Sequence, residues 1–288
     1  DTKGSRNVAV GQEALSAQNF TSATNSYNTA VGMSAGRIIS TGVHNTLIGG
    51  DAGDANTTAD HLTAVGYNAL TTFNRTDGAS GKTTAVGSGA FQSLTTGTQN
   101  TAVGMEAGSS QQAAANCTFL GYRAGKDSAG EANTFVGALC GDATDDGAEN
   151  TAVGQSALSA NCGNGNTAIG HNSLLRCTGT GNTAAGLGAG AEITSGDNNI
   201  AIGNDSHDGG TTGDNNISIG VSSTPSAVGV ENQITLGNSS TASLRCQIQT
   251  IAALSDQRDK TDIIDLPYGL DFINQTRPVQ YKWDISCL

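Results

Sequence analysis

The stretch SDQRDK, residues 255–260, sets a serine five residues ahead of a lysine in a run dense in acids and bases. A serine hydroxyl is a poor nucleophile at neutral pH and needs a base within hydrogen-bond reach, a role a lysine fills once burial lowers its pKa. Five residues of separation allow that contact only across a turn or between subunits. Asp259, next to Lys260, works against it by favouring the charged amine. Whether the pair does chemistry therefore depends on the elements that hold it.

Those elements are unlike a compact enzyme. Among 288 residues Gly occurs 40 times and aromatics make up 4%, too little bulk to offset backbone ordering unless a regular repeat organises the chain. The formal charge is −12, which argues against nucleic acid or an anionic membrane as partner, since phosphate binding needs Lys and Arg. No apolar run reaches the roughly 20 residues that span a bilayer, and the first residues lack a signal-peptide pattern. Cys117, Cys140, Cys162, Cys177, Cys246 and Cys287 show no paired spacing and read as buried free thiols. His44, His61, His171 and His207 have no metal-ligand spacing and read as surface residues; no metal and no cofactor is expected.

A phrase close to NTAVG recurs 14 times, its glycines running from Gly11, Gly32 and Gly49 to Gly220 and Gly237. Successive spacings are 16 or 17 residues, except for two of 21 that fit four-residue loop insertions before Gly32 and Gly87. The residue before each Gly is apolar, and three before it stands a β-branched residue: Val8, then Thr from Thr29 to Thr183, then Ile200, Ile217 and Ile234. In an extended strand these two share one face and the residue between them, usually Ala, takes the other. The Gly turns a corner, and the polar remainder of each period supplies turns.

Each copy thus predicts one coil of a β-solenoid, and at about 4.8 Å per coil the stack is on the order of 65 Å long. The fold class expected is all-β, a β-roll or triple β-helix in a parallel homotrimer, with a short C-terminal α+β segment. Thr is expected on the core side and the Ala face between chains, where small side chains let backbones approach. Phe119 and Phe135 replace Ala in two copies and demand local burial on that second face. Domain boundaries are read as a shaft over 1–240, a connecting strand or linker over 241–254 carrying Leu244, Cys246 and Ile248, and a second domain over 255–288. In the last of these, Pro267 starts a helix with Leu266, Leu270 and Ile273 on one face, Pro278 ends it, and Val279, Tyr281 and Trp283 alternate as a strand.

Two resemblances follow from these residues. NTAVGMEAG and NNIAIG resemble the β-roll repeats in heads of trimeric autotransporter adhesins and repeats in phage tail fibres, over about residues 7–240. Ser255, Asp256, Arg258 and Lys260, followed by Ile263 or Ile264, Gly269, Leu270, Ile273, Pro278, Val279 and Tyr281, resemble the intramolecular chaperone autoprocessing domain of phage tailspikes and tail fibres. That resemblance implies a domain that trimerises, sets the register of a β-structured stalk, and cuts itself off with a Ser-Lys dyad. Ser255 would be the nucleophile and Lys260 the general base of a single-turnover autoprotease. The bond between Leu254 and Ser255 is favoured, because attack on the Leu254 carbonyl passes through a five-membered ring; cleavage after Ser255 by a neighbouring chain is the alternative.

The function expected is a structural fibre shaft in a virion tail, acting outside the cell in host attachment. Its partners would be its own copies, other tail proteins, and a host surface receptor or glycan. A bacterial trimeric adhesin is the first alternative. A polysaccharide-degrading tailspike is the second; the acids in ATDDGAE and SGDNN fall in turns, where acids are common anyway. The same loops offer oxygen ligands for Ca²⁺ but follow no established calcium pattern. With Thr on the core side, an outward Thr array for binding ice is not expected.

Overall fold

The computed structural model describes residues 3–75, 80–209 and 211–245. The chain divides into two compact units, Asp1–Thr241 and Ala242–Leu288. Cys246, Ile248, the helix expected from Pro267 and the strand through Trp283 lie outside the described residues. Residues 241–245 are irregular, with Leu244 exposed.

Each copy of the phrase forms a three-residue strand, from Val8–Val10 and Thr29–Val31 to Ile234–Leu236. The strands make one 14-stranded parallel sheet in which each pairs with the copies before and after it. The register is strict: Thr134 sits beside Thr118 on one side and Thr151 on the other. No helix occurs among the described residues, so this unit is an all-β parallel solenoid. Each strand's neighbours come from its own chain, which is the geometry of a roll; in an intertwined triple helix they would come from other chains. The longer period before Gly32 carries Thr24–Asn25, which pairs in parallel with Gly4–Ser5 of the preceding period as a small second sheet.

The two faces of the sheet are the reverse of the expectation. Ala30, Ala64, Ala85, Ala102, Ala152, Ala168, Ala184 and Ala201 are fully buried in the core, as are Leu47, Phe119 and Phe135 at the same position. Thr and the residue before the corner Gly point outward, half-buried or exposed. Strand alternation pairs the right residues but does not say which face is inside, and a narrow coil has room only for the smaller one.

The corner glycines satisfy two constraints at once. Gly49 has φ +136°, and a Cβ there would lie 2.4 Å from the Gly66 carbonyl oxygen of the next coil. The same clash repeats up the column, so an L side chain is excluded by conformation and by space.

A second position, four residues past the corner, lies in the left-handed region in most coils and is Gly in every coil whose strand centre is Leu or Phe. Gly36, Gly108 and Gly190 go with Ala30, Ala102 and Ala184, where side chains from other positions fill the space. Where the strand carries Ala64, Ala152 or Ala168, this position is Leu70, Leu158 or Leu174, each fully buried at φ between 47° and 54°. Where the strand carries Leu47, Phe119 or Phe135, it is Gly53, Gly125 or Gly141. A Cβ on Gly141 would lie 2.5 Å from the Phe135 ring. Two positions of one coil thus trade volume to keep the interior filled. The Phe91, Phe119 and Phe135 rings run as one stack, with centroids 5.8 and 5.5 Å apart.

The Asn of the phrase is an internal ladder. Asn182 accepts the Asn199 N–H on Oδ1 at 2.9 Å and donates from Nδ2 to the Gly196 carbonyl at 2.7 Å. Asn199 repeats this toward Asn216 and Gly213. These side chains pair backbone groups buried at the strand's start, where an unpaired group would cost about 1–3 kcal/mol.

Candidate functional site: the outer sheet face

Ser255, Lys260 and the Leu254–Ser255 bond lie outside the described residues. What the structure does build is a continuous outer face of two columns, one residue of each per strand. The first column is Thr from Thr29 to Thr183 and becomes Ile at Ile200, Ile217 and Ile234. The second is Val, Ile or Leu, broken once by Ala185; Ile48, Leu120, Val153, Ile169, Ile202 and Leu236 are exposed. Sequence reasoning placed these columns in the core, so it missed the face; the size trade between Phe135 and Gly141 was the available signal for which side is inside.

A neighbouring column, the residue just after each corner Gly, carries exposed Met33, Tyr67, Met105, Tyr122, Leu187 and Val221. Tyr27, His44 and His61 stack on successive coils, with centroids 5.6 and 5.0 Å apart. His44, His61 and His171 are exposed, as expected. His207 is not: it is fully buried at the left-handed position where other coils carry Leu, Gly or Phe91, and its Nδ1 lies 3.1 Å from Ser218 Oγ.

Several loop acids tie one coil to the next. Asp127 accepts a hydrogen bond from Ser110 at 2.8 Å, and Asp197 accepts the Thr180 N–H at 2.7 Å. A groove of about 760 Å³ opens beside Asp127, Asp145 and Asn161, but Asn161 is already taken by the Asp145 N–H at 2.9 Å. Burial raises the carboxyl pKa of Asp142 above the ordinary range, against a hydrogen bond with Ser159 that lowers it. Among the described residues no group of three His, Cys, Asp or Glu side chains could hold a metal ion, and no helix is long and apolar enough to cross a membrane.

Cys117, Cys140, Cys162 and Cys177 are buried and free, as the spacing predicted; Cys246 and Cys287 lie outside the described residues. Desolvation pushes the Cys140 and Cys177 thiols up to about 12 and raises those of Cys117 and Cys162. These are structural thiols, far from the thiolate character that nucleophilic chemistry needs.

Comparison with known families gives one match: residues 255–286 fit the family described as the chaperone of endosialidase. It spans a small part of the chain and begins at Ser255, on the segment singled out by its Ser and Lys. No curated protein and no solved structure is matched.

Proposed function

We propose that the chain is the shaft of a virion tail fibre, assembled as a parallel homotrimer whose outer sheet faces meet, and that the segment from Ser255 is the chaperone that brings three chains into register. The observation carrying this reading is the chaperone-of-endosialidase match at residues 255–286, following directly on a parallel solenoid. The exposed aliphatic column supports self-association, because contiguous apolar surface of this length is rare on a monomer. The match also favours a viral fibre over a bacterial adhesin. Host attachment, through receptor or glycan contacts on the polar turns, is the role such a shaft serves.

In this reading the Ser255 hydroxyl attacks the Leu254 carbonyl carbon while neutral Lys260 takes its proton and passes it to the Ser255 nitrogen as the Leu254–Ser255 C–N bond breaks. Water then hydrolyses the ester on Ser255 Oγ, leaving Leu254 as a carboxylate and releasing the chaperone. Expression of the full chain, with and without Ser255→Ala, tests both halves. Cleavage gives a fragment whose N-terminus is Ser255 on denaturing gels and sequencing, and Ser255→Ala abolishes it. Light scattering on the same samples reports the trimer; an uncut wild type that still trimerises removes the protease and leaves the fibre.

The outward Thr column favours one second reading. Ten successive coils, Thr29 to Thr183, present Thr in register beside an aliphatic column, which is a face suited to ordered water or ice. A trimer that buries this face leaves no ice-binding activity, so thermal hysteresis measured beside the light scattering separates the two.

A further inference from the structure

Past Ala201 the coils are built inside out relative to the rest. Up to Ala201 every coil contributes apolar side chains to a continuous core of Ala with Leu, Ile, Phe or Cys. Among the described residues no buried apolar side chain follows Ala201; the interior there is made by Ser206, His207, Asn216, Ser218 and Ser223. On the outer face the change runs the other way. Thr gives way to Ile200, Ile217 and Ile234, so both outward columns become aliphatic: Ile200 with Ile202, Ile217 with Ile219, Ile234 with Leu236. Ile234 is 67% exposed and Leu236 48%.

A coil with a polar interior gains little from burying it, because hydrogen bonds exchanged with water contribute only about 1 kcal/mol each. Its apolar surface, the main source of stability, faces out, where it contributes only once covered. These coils therefore need a partner on the sheet face, unlike those before Ala201.

We infer that Ile200, Ile202, Ile217, Ile219, Ile234 and Leu236 form a clamp in which two further copies of this chain cover the last three coils, and that chain association begins there. This rests on the trimer proposed above and adds where it is held. Copies of the chain are the occupant because the columns are homotypic and in register: Ile217 pairs with Ile200 and Ile234 within the sheet. A parallel copy therefore meets aliphatic with aliphatic at each level. The face also continues in the same sheet into the shaft columns, with Ala185 beside Ile202 as the one step down in size, and the segment matched to the chaperone family follows in sequence.

The test uses the full chain, by sedimentation and by hydrogen exchange. In the trimer, amides of residues 200–202, 217–219 and 234–236 are protected. On dilution to monomer they exchange while the shaft strands from Thr29 to Thr183 stay protected. Ile200→Thr with Ile217→Thr and Ile234→Thr, which restores the shaft's own pattern, slows trimer formation by about tenfold or more through the lost apolar area. Val65→Thr with Val86→Thr and Val103→Thr, on the same face in mid-shaft, weakens the assembled trimer but slows its formation less than the clamp change, because association begins at the last coils; equal slowing by the two variants overturns the clamp. A trimeric wild type whose Ile→Thr variant assembles at the same rate overturns the clamp and leaves the trimer standing. So does exchange protection of the last coils in the monomer. A wild type that never trimerises overturns both; in that case, last coils that nonetheless need a cover point to another occupant, such as the chain's own C-terminal segment.

Discussion

The coils around Phe119 and Phe135 and those around Ser218 share one phrase, one register and one Gly corner, yet they place their apolar mass on opposite sides of the strand. In the first region the rings stack inside and Thr faces out; in the second, Ser and His sit inside and Ile faces out. The difference separates two jobs that a repeat usually merges. Backbone geometry is set by the Gly corner, which both regions share, and by the Asn ladder, which runs through both but is interrupted by Cys117 in the first. Where stability comes from is set by the side chains, which differ.

The sharpest break to this comparison is in the first region. Phe135→Ala leaves a cavity in a closed interior and should cost about 3–5 kcal/mol in denaturant unfolding. Gly141→Leu alone should be at least as damaging, since even a Cβ there lies 2.5 Å from the Phe135 ring. Made together, the two changes recreate the pairing of Ala152 with Leu158 and recover much of the loss, a coupling of about 1–3 kcal/mol. Strict additivity would show that the two positions do not share the interior.

The ladder common to both regions gives the next largest effect. Asn182→Ala removes the acceptor for the Asn199 N–H and the donor to the Gly196 carbonyl. Leaving these groups buried and unpaired costs about 2–3 kcal/mol. Asn216→Ala, in the second region, loses the equivalent bonds to the Gln233 N–H and the Val230 carbonyl. Its cost in the dissociated chain should be smaller, because water reaches those half-buried groups; equal costs would mean that the last coils are as closed as the shaft.

How much of this was readable beforehand follows the same division. The repeat, the three-residue strands, the parallel stacking and the Gly corner were all legible, because each is a periodic demand of the backbone that recurs 14 times. Which face is inside was not, because Thr-Ala-Val offers two small faces and alternation only sorts residues between them. The pairs Phe135 with Gly141 and Leu47 with Gly53 held the answer as a volume trade within one coil. The Asn role was hidden for another reason: Asn before a strand also reads as a turn former. His207 was misplaced because its position is mostly filled by Leu or Gly in other coils, and only the coil count puts it there. For Ser255 and Lys260, spacing names a chemistry but fixes no geometry.

Thiols sharpen the first side of the comparison more gently. Burial holds the Cys140 and Cys177 pKa near 12, above the ordinary 9.0, so the folded chain keeps these protons where the unfolded chain loses them. Their contribution to stability is complete below pH 9 and falls away as pH rises from there through about 12. Unfolding midpoints should drop across that window, and Cys140→Ala with Cys177→Ala should flatten the drop. At pH 8 iodoacetamide should label neither residue until denaturant is added; rapid labelling of the native chain would show an open interior.

The smallest expected effect is the most telling about the second region. His207→Leu with Ser218→Ala exchanges a hydrogen-bonded polar pair for the Leu and Ala that other coils carry at these positions, as Leu174 and Ala168 do. His207 has φ 59° and Leu174 φ 47°, so the backbone already suits the change. Replacing both partners of a buried hydrogen bond with apolar groups of matching shape is close to neutral, and the added core stabilises by at most about 1 kcal/mol. In the dissociated chain that gain should appear as slower exchange at Ile217–Ile219, moving the edge of the self-sufficient core one coil onward. Unchanged exchange there would mean that interior polarity is not what leaves the last coils dependent on a cover, and the distinction between the two regions would then rest on the outer face alone.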